Sequence, residues 1–348
     1  METILVLLHI DESGNLPRIA FEALGAACEL RHGGNANFAI GIIGGDIESA
    51  AGKIGGCGAT SFFGVSHPAL EVSRYGTDLA ALGALVEKVA PTLIVAPSTS
   101  RFARVLPGLA VRIGGQIDTH ITSIDPGADG AAVFAERWYY RQRMKAKFTR
   151  DARPWILVVD GGAFEPWKGE TGSVALQMVS PWAEGGPGDN VTRTQVSGIE
   201  TGESGTQTIR PDADLLFVAG AGWAKKQADG QTHVPKAEKL ILGFLEGAKA
   251  SLGSSKSLVD QSSEGQAVLT CLSHLNQVGQ TGTTPRHQKG LATCCHGEEP
   301  HVVGWRFVQE RRAVNLDANC GWARGKADVV YVADAFEVVE KLNDLLGV

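Results

Sequence analysis

The chain has 348 residues, 43% hydrophobic and 20% charged, a composition that excludes wholesale disorder and suits two domains. Thirty-two basic against 38 acidic residues leave a net charge of −6, which excludes a global electrostatic pull toward nucleic acid or an anionic membrane. Glycine, with 44 residues and no collagen-like period, signals many tight turns and close backbone approaches.

The opening run Ile4-Leu5-Val6-Leu7-Leu8 reads as a buried strand. Asp11 and Glu12 cut it off, and it lacks a basic leader and a small-residue cleavage site, so it is not read as a signal peptide. No stretch approaches the ~20 apolar residues of a membrane helix. Beyond Pro17, Ile19, Leu24, Ala27, Cys28 and Leu30 fall mainly on one helical face. A second strand is expected over 38–43, a helix over 79–89 stopped by Pro91, a strand over 92–96, a helix over 101–113 and a strand over 119–124. Strands alternating with helices argue for a parallel sheet covered on both faces.

The pattern turns β-rich over 131–167, with Trp155-Ile156-Leu157-Val158-Val159 as its clearest strand. Residues 182–211 read as loop and linker, with one strand around 191–196. The α/β rhythm then restarts: a strand over 215–219, a helix over 236–249, a Gly/Ser-rich turn, strands over 313–316 and 329–332, and an amphipathic helix over 336–346. The expected fold is α/β, with two Rossmann-like domains (1–200 and 201–348), each a mainly parallel sheet flanked by helices. The six cysteines, Cys28, Cys57, Cys271, Cys294, Cys295 and Cys320, show no disulfide-framework spacing, which makes the cytoplasm the expected compartment.

The densest unusual stretch is Gly253-Ser254-Ser255-Lys256 with Val259-Asp260, followed by Val278-Gly279-Gln280-Thr281-Gly282. Small residues ahead of a helix leave backbone N–H groups free to meet an anion, and Lys256 supplies charge. The threonine hydroxyl can donate to or accept from a bound heterocycle. Either fragment alone reads as a plain connection. In this order and spacing they resemble the α subunit of electron transfer flavoproteins, the FixB-type family. That family pairs Gly-Ala-Ser-Arg and a following Val-Asp with Val-Gly-Gln-Thr-Gly, a Gly-Ile-Ser-Gly-Ala-Ile-Gln-His loop, an Ala-Ile-Asn strand end and a late Gly-Asp. Ungapped counting brings the loop to Cys294-Cys295-His296-Gly297-Glu298-Glu299-Pro300-His301 and the strand end to Ala313-Val314-Asn315. One inserted residue puts the late aspartate at Asp334.

The resemblance implies an FAD held by the C-terminal domain through Ser255, Lys256, Val278, Gly279, Gln280, Thr281, Gly282, His296, Gly297, His301, Asn315 and Asp334. Thr281 would face the flavin N5 and His301 the pyrimidine carbonyl. Ser255 and the 294–301 loop would approach the phosphates, and Asn315 and Asp334 would hold the adenosine end. It also implies a β subunit as heterodimer partner, contacted by the N-terminal domain and holding an AMP or second FAD. The chain would carry electrons from a flavoprotein dehydrogenase to a quinone reductase or similar acceptor. It would be a carrier without its own organic substrate, bound neither to nucleic acid nor inserted in a membrane.

Three departures stand against the family pattern. Lys256 replaces an arginine and loses its planar fork; Gly222 falls where a second arginine is expected; Glu298 and Glu299 enter the phosphate loop. The last two motivate an alternative, a flavin-free scaffold of the same fold. A subunit of an NAD(P)H-linked electron-bifurcating complex is the other.

Further candidates read as structural. The vicinal Cys294-Cys295, with His296 and His301, have the wrong spacing for a tetrahedral zinc, and no metal is expected. The basic-aromatic run from Arg137 to Arg150 reads as a strand edge or subunit contact rather than an RNA surface. His9 and His67 read as structural or solvated. No Gly-x-Ser-x-Gly elbow, His-Glu-x-x-His helix or Walker loop occurs, which disfavours a hydrolase.

Overall fold

The structure is a computed structural model that describes residues 2–34, 37–127, 132–139, 144–182, 186–188, 191–194, 196–198, 209–210, 213–260, 268–278, 287–294, 308–318 and 327–348. The chain divides into two compact units, Met1–Ile199 and Glu200–Val348.

In the first unit the elements run β1 (Ile4–His9), α1 (Arg18–Gly34), β2 (Phe38–Gly44), α2 (Glu48–Lys53), β3 (Ser61–Ser66), α3 (Tyr75–Val89), β4 (Leu93–Pro97), α4 (Ser100–Arg112), β5 (Gln116–Asp125), β6 (Phe134–Tyr139), β7 (Met144–Phe148), β8 (Trp155–Val159) and β9 (Leu176–Met178). They build one sheet in the order β7-β6-β5-β8-β4-β1-β2-β3-β9. Every pairing is parallel except β5 with β6 and β6 with β7. The unbroken apolar runs of β1 and β4 follow from burial on both faces. Ile4, Val6 and Leu8 pack with Leu24, Ala27 and Leu30 of α1. Leu5, Leu7 and Ile94 meet Leu82 and Leu85 of α3 and Phe102 and Val105 of α4 on the other side.

The second unit contains β10 (Leu215–Ala219), α5 (Val234–Ala248), β11 (Ser251–Ser254), α6 (Lys256–Asp260), β12 (Lys289–Cys294), β13 (Glu310–Asn315), β14 (Val329–Val332) and α7 (Ala335–Leu346). Its sheet is wholly parallel, in the order β11-β10-β12-β13-β14. Phe217, Leu252 and Val314 pack under Ile241 and Phe244 of α5 and Phe336 and Val339 of α7. Leu216, Val218, Ala292 and Ala313 face the other way, toward Val278 and Val308. The expected α/β architecture with mainly parallel sheets is what the chain adopts.

Two local expectations change. The Gly/Ser-rich turn after α5 is in part the edge strand β11, whose Ser251 and Ser254 are fully buried. Gly253 belongs there because a Cβ would come within 2.6 Å of Val278 Cγ2. The strand expected over 191–196 is absent from the described residues of that stretch, which form turns and irregular backbone. Among the described residues Val191 and Val196 pair with no strand, and the Val191 carbonyl lies over the Cα of Gly76. Among the described residues no helix is long and apolar enough to cross a membrane.

Candidate functional site

The order of the second sheet points to a candidate site. Counted from β10, the strands lie 2-1-3-4-5, so the chain reverses its direction of growth between β10 and β12. Open parallel sheets bind ligands outside the carboxyl ends of their strands at such a switch point. Those ends carry Ala219-Gly220, Ser254-Ser255, Thr293, Asn315 and Val332. Most are small or hydroxylated, so the backbone is approachable.

Hydrogen bonds fix this edge. Gly220 N–H donates to the Thr293 carbonyl at 2.7 Å, and Ser255 N–H donates to the Ala219 carbonyl at 2.9 Å. Ser255 Oγ accepts from Leu258 N–H at 3.3 Å, which caps α6. The Ala221–Ala224 3₁₀ turn is buried and drives Trp223 beneath the edge. Its indole N–H donates to Thr293 Oγ1 at 2.7 Å, and that hydroxyl donates to the Val218 carbonyl at 3.1 Å. Gly222, where the resemblance expects an arginine, lies inside this buried turn.

Val278 reaches the edge through a second turn. Ser273 caps His274–Asn276 in a capping box. The Asn276 amide donates to the Leu252 carbonyl at 3.2 Å, and Val278 N–H donates to the Ser254 carbonyl at 3.0 Å. The chain thus runs up beside β11 and brings Val278 to the end of that strand. Asn315 is buried at the end of β13, with Oδ1 accepting from Asp317 N–H at 3.3 Å. Asp334 caps α7, accepting from Phe336 N–H at 2.7 Å. Lys256 opens α6 with its ammonium on Asp260. Ser255, Lys256, Asn315 and Asp334 therefore fall at or just after strand ends on this edge, and Val278 is hydrogen-bonded to one of those ends. Gly279, Gln280, Thr281, Gly282, His296, Gly297 and His301 lie outside the described residues.

An FAD fits the donor set described. Ser254 Oγ is buried and finds no partner among the described residues. Such a group at a ligand edge is one that a bound phosphate or hydroxyl satisfies. The described residues at the ends of β11, β12 and β13 are Ser254, Thr293 and Asn315, none of them bulky and apolar.

The residues outside this edge are committed elsewhere. In the β6–β7 hairpin Lys147 pairs with Asp125 at 2.6 Å, Lys145 pairs with Glu136, and Arg150 and Arg137 converge on Asp118 at 2.9 and 3.9 Å. His9 is buried, and His67 caps the Pro68–Leu70 turn. Among the described residues no group of three or more His, Cys, Asp or Glu could hold a metal ion. Burial pushes the thiols of Cys28 and Cys271 up to about 11 and about 12, so neither is a thiolate nucleophile near neutrality. Trp223, Thr293 and His274 escape sequence reasoning. The tryptophan directly after a strand and a Gly-Ala-Gly turn was the one signal available.

The family profile of the electron transfer flavoprotein domain matches residues 4–183, more than half of the chain. The chain belongs to the electron transfer flavoprotein family. It is also 27% identical over 272 residues, 76% of each sequence, to the electron transfer flavoprotein subunit alpha of Bradyrhizobium diazoefficiens. The chain is thus a divergent α-type electron transfer flavoprotein subunit, and its family consists of electron carriers rather than enzymes with an organic substrate.

Proposed function

We propose that this electron transfer flavoprotein chain pairs with a β subunit and holds FAD at the carboxyl edge of its C-terminal sheet. It takes electrons from a flavoprotein dehydrogenase and passes them to a quinone reductase or similar acceptor. The observation that carries this reading is the convergence of Ser255, Val278, Asn315 and Asp334 on the strand ends around the β10–β12 switch point. When bound, FAD supplies the one- and two-electron chemistry.

The chain's own part is to bind and orient. Ser254 and Ser255 offer hydroxyls beside β10, where the pyrophosphate would lie. Thr281, three residues beyond Val278 in sequence, would offer its hydroxyl to the flavin. Asn315 and Asp334 hold the adenosine end, and Lys256 places a cation near the ring system. The N-terminal unit supplies the contact to the β subunit. Co-expression with the β subunit, followed by a visible spectrum and a release assay for the bound nucleotide, tests the reading. A flavin spectrum with one FAD released per α chain is expected. A colourless heterodimer that takes up no added FAD would return the chain to a flavin-free scaffold.

A further inference from the structure

Lys256, Asp260 and His274 cluster at the rim of the C-terminal edge. Lys256 follows Ser255 directly, and its ammonium donates to Asp260 Oδ2 at 2.5 Å, one turn along α6. His274, on the turn that leads to Val278, faces the other carboxylate oxygen with Nδ1 at 3.9 Å. A lysine and a histidine from two elements thus approach one carboxylate. The side chains of Lys256, Asp260 and His274 are 49%, 33% and 65% exposed.

Helix stability does not explain this pair. Lysine four residues ahead of an acid is the weaker order, because the cation then sits toward the positive end of the helix dipole. Exposed pairs add little to stability in any case. What the pair does decide is where the charge of Lys256 resides. A lysine stem is flexible and its ammonium turns to whichever anion is in reach. Asp260 lies about 6 Å further along the helix than Lys256, away from the strand end.

We propose that Asp260 is a positioning residue that draws the Lys256 ammonium along α6 and back from the cofactor edge. His274 competes for the same carboxylate and so sets how firmly Lys256 is held. This rests on the reading that FAD occupies the edge. It adds that the cation facing the FAD is deliberately restrained, and that Asp260 and His274 tune the affinity for the anionic cofactor through Lys256.

The test measures FAD affinity by reconstituting the flavin-stripped heterodimer, with Asp260→Asn, Lys256→Gln, the double variant, Asp260→Glu and His274→Gln. Asp260→Asn should tighten FAD by about threefold more when Lys256 is present than in the Lys256→Gln background, a coupling of the size seen for exposed ion pairs. Asp260→Glu should restore the wild-type value. His274→Gln, which removes one competitor of Lys256 for the carboxylate, should weaken FAD by up to about twofold. The bound flavin of Asp260→Asn should also show a raised potential at unchanged thermal stability. Equal effects of Asp260→Asn with and without Lys256, or none at all, would overturn the proposal while leaving FAD in place. A wild-type heterodimer that binds no FAD would overturn the underlying reading instead, and this proposal with it.

Discussion

Trp223 donates its indole N–H to the Thr293 hydroxyl at 2.7 Å, and both side chains are fully buried. The bond ties the turn after β10 to the end of β12, the two strands that flank the switch point. Trp223 also packs on Phe336 at 4.6 Å between ring centroids, so the start of α7 rests on the same side chain. Thr293→Val keeps the shape and strands the indole N–H in a dry site. The expected cost is about 1–3 kcal/mol, the penalty for an unsatisfied buried donor. Urea unfolding followed by tryptophan fluorescence measures it, and an unchanged midpoint would show that the bond is dispensable.

In the N-terminal unit Arg101, at the start of α4, holds Asp78, at the start of α3, with Nη2 at 2.6 Å and Nε at 3.0 Å. Arg101 Nη2 also donates to the Leu70 carbonyl at 2.9 Å, and both residues are buried. Breaking the pair from one side leaves a buried uncompensated charge. Asp78→Asn should therefore destabilise the unit by about 3–5 kcal/mol. Replacing both partners, as Asp78→Leu with Arg101→Met, should recover most of that loss. Chemical denaturation of the three proteins decides. A double variant no better than Asp78→Asn would mean that the Leu70 contact, not the charge pair, carries the energy.

His9 sits at the end of β1, where the first sheet has its own switch between β1 and β4. Its Nδ1 donates to the Ile10 carbonyl at 2.9 Å, which leaves Nε2 to accept from the Thr99 hydroxyl at 2.8 Å. Thr99 in turn caps α4 by accepting from Phe102 N–H at 3.2 Å. Burial holds the His9 imidazole below the ordinary histidine value, and nearby Arg101 adds to this, while the Ile10 carbonyl, Asp78 and Asp11 oppose it. The unfolded chain then binds the proton first as pH falls. Stability contributed by neutral His9 is complete above the ordinary value near 6.5 and is lost as pH drops from there to the depressed value. Urea midpoints between pH 5 and pH 8, about the window of histidine titration, should fall less steeply on the acid side for His9→Gln than for wild type. Identical slopes would remove His9 as the cause.

Much of this architecture is legible in the residues, and the part that is not has a common cause. The apolar runs at β1, β8 and β10 announce strands because burial on both faces demands continuous hydrophobicity. β11 and β12 do not, since Ser251-Leu252-Gly253-Ser254 and Lys289-Gly290-Leu291-Ala292 acquire their burial only from neighbours far along the chain. The same holds at the site. Ser255, Asn315 and Asp334 could be placed by motif order, as residues next to a strand end. The bond from Trp223 to Thr293 and the approach of His274 to Asp260 span distant positions with no local period, so only the folded sheet reveals them.

Asp334 carries two roles that a single substitution can separate. Its Oδ1 accepts from Phe336 N–H at 2.7 Å and so caps α7, a contact worth about 1 kcal/mol. In the proposed function the same carboxylate meets the adenosine end of FAD, where an acid accepts hydrogen bonds from sugar hydroxyls. Asp334→Ala removes both. Asp334→Ser keeps a capping oxygen but withdraws the longer, charged acceptor. Thermal unfolding of the flavin-stripped heterodimer should therefore show a loss for Asp334→Ala and near wild-type stability for Asp334→Ser. FAD titration should show weakened binding for both, by about tenfold if one charge-assisted hydrogen bond of ~1.5 kcal/mol is lost. Wild-type FAD affinity in Asp334→Ser would confine this residue to its cap, and the adenosine end would then rest on Asn315 alone among the described residues of the proposed site.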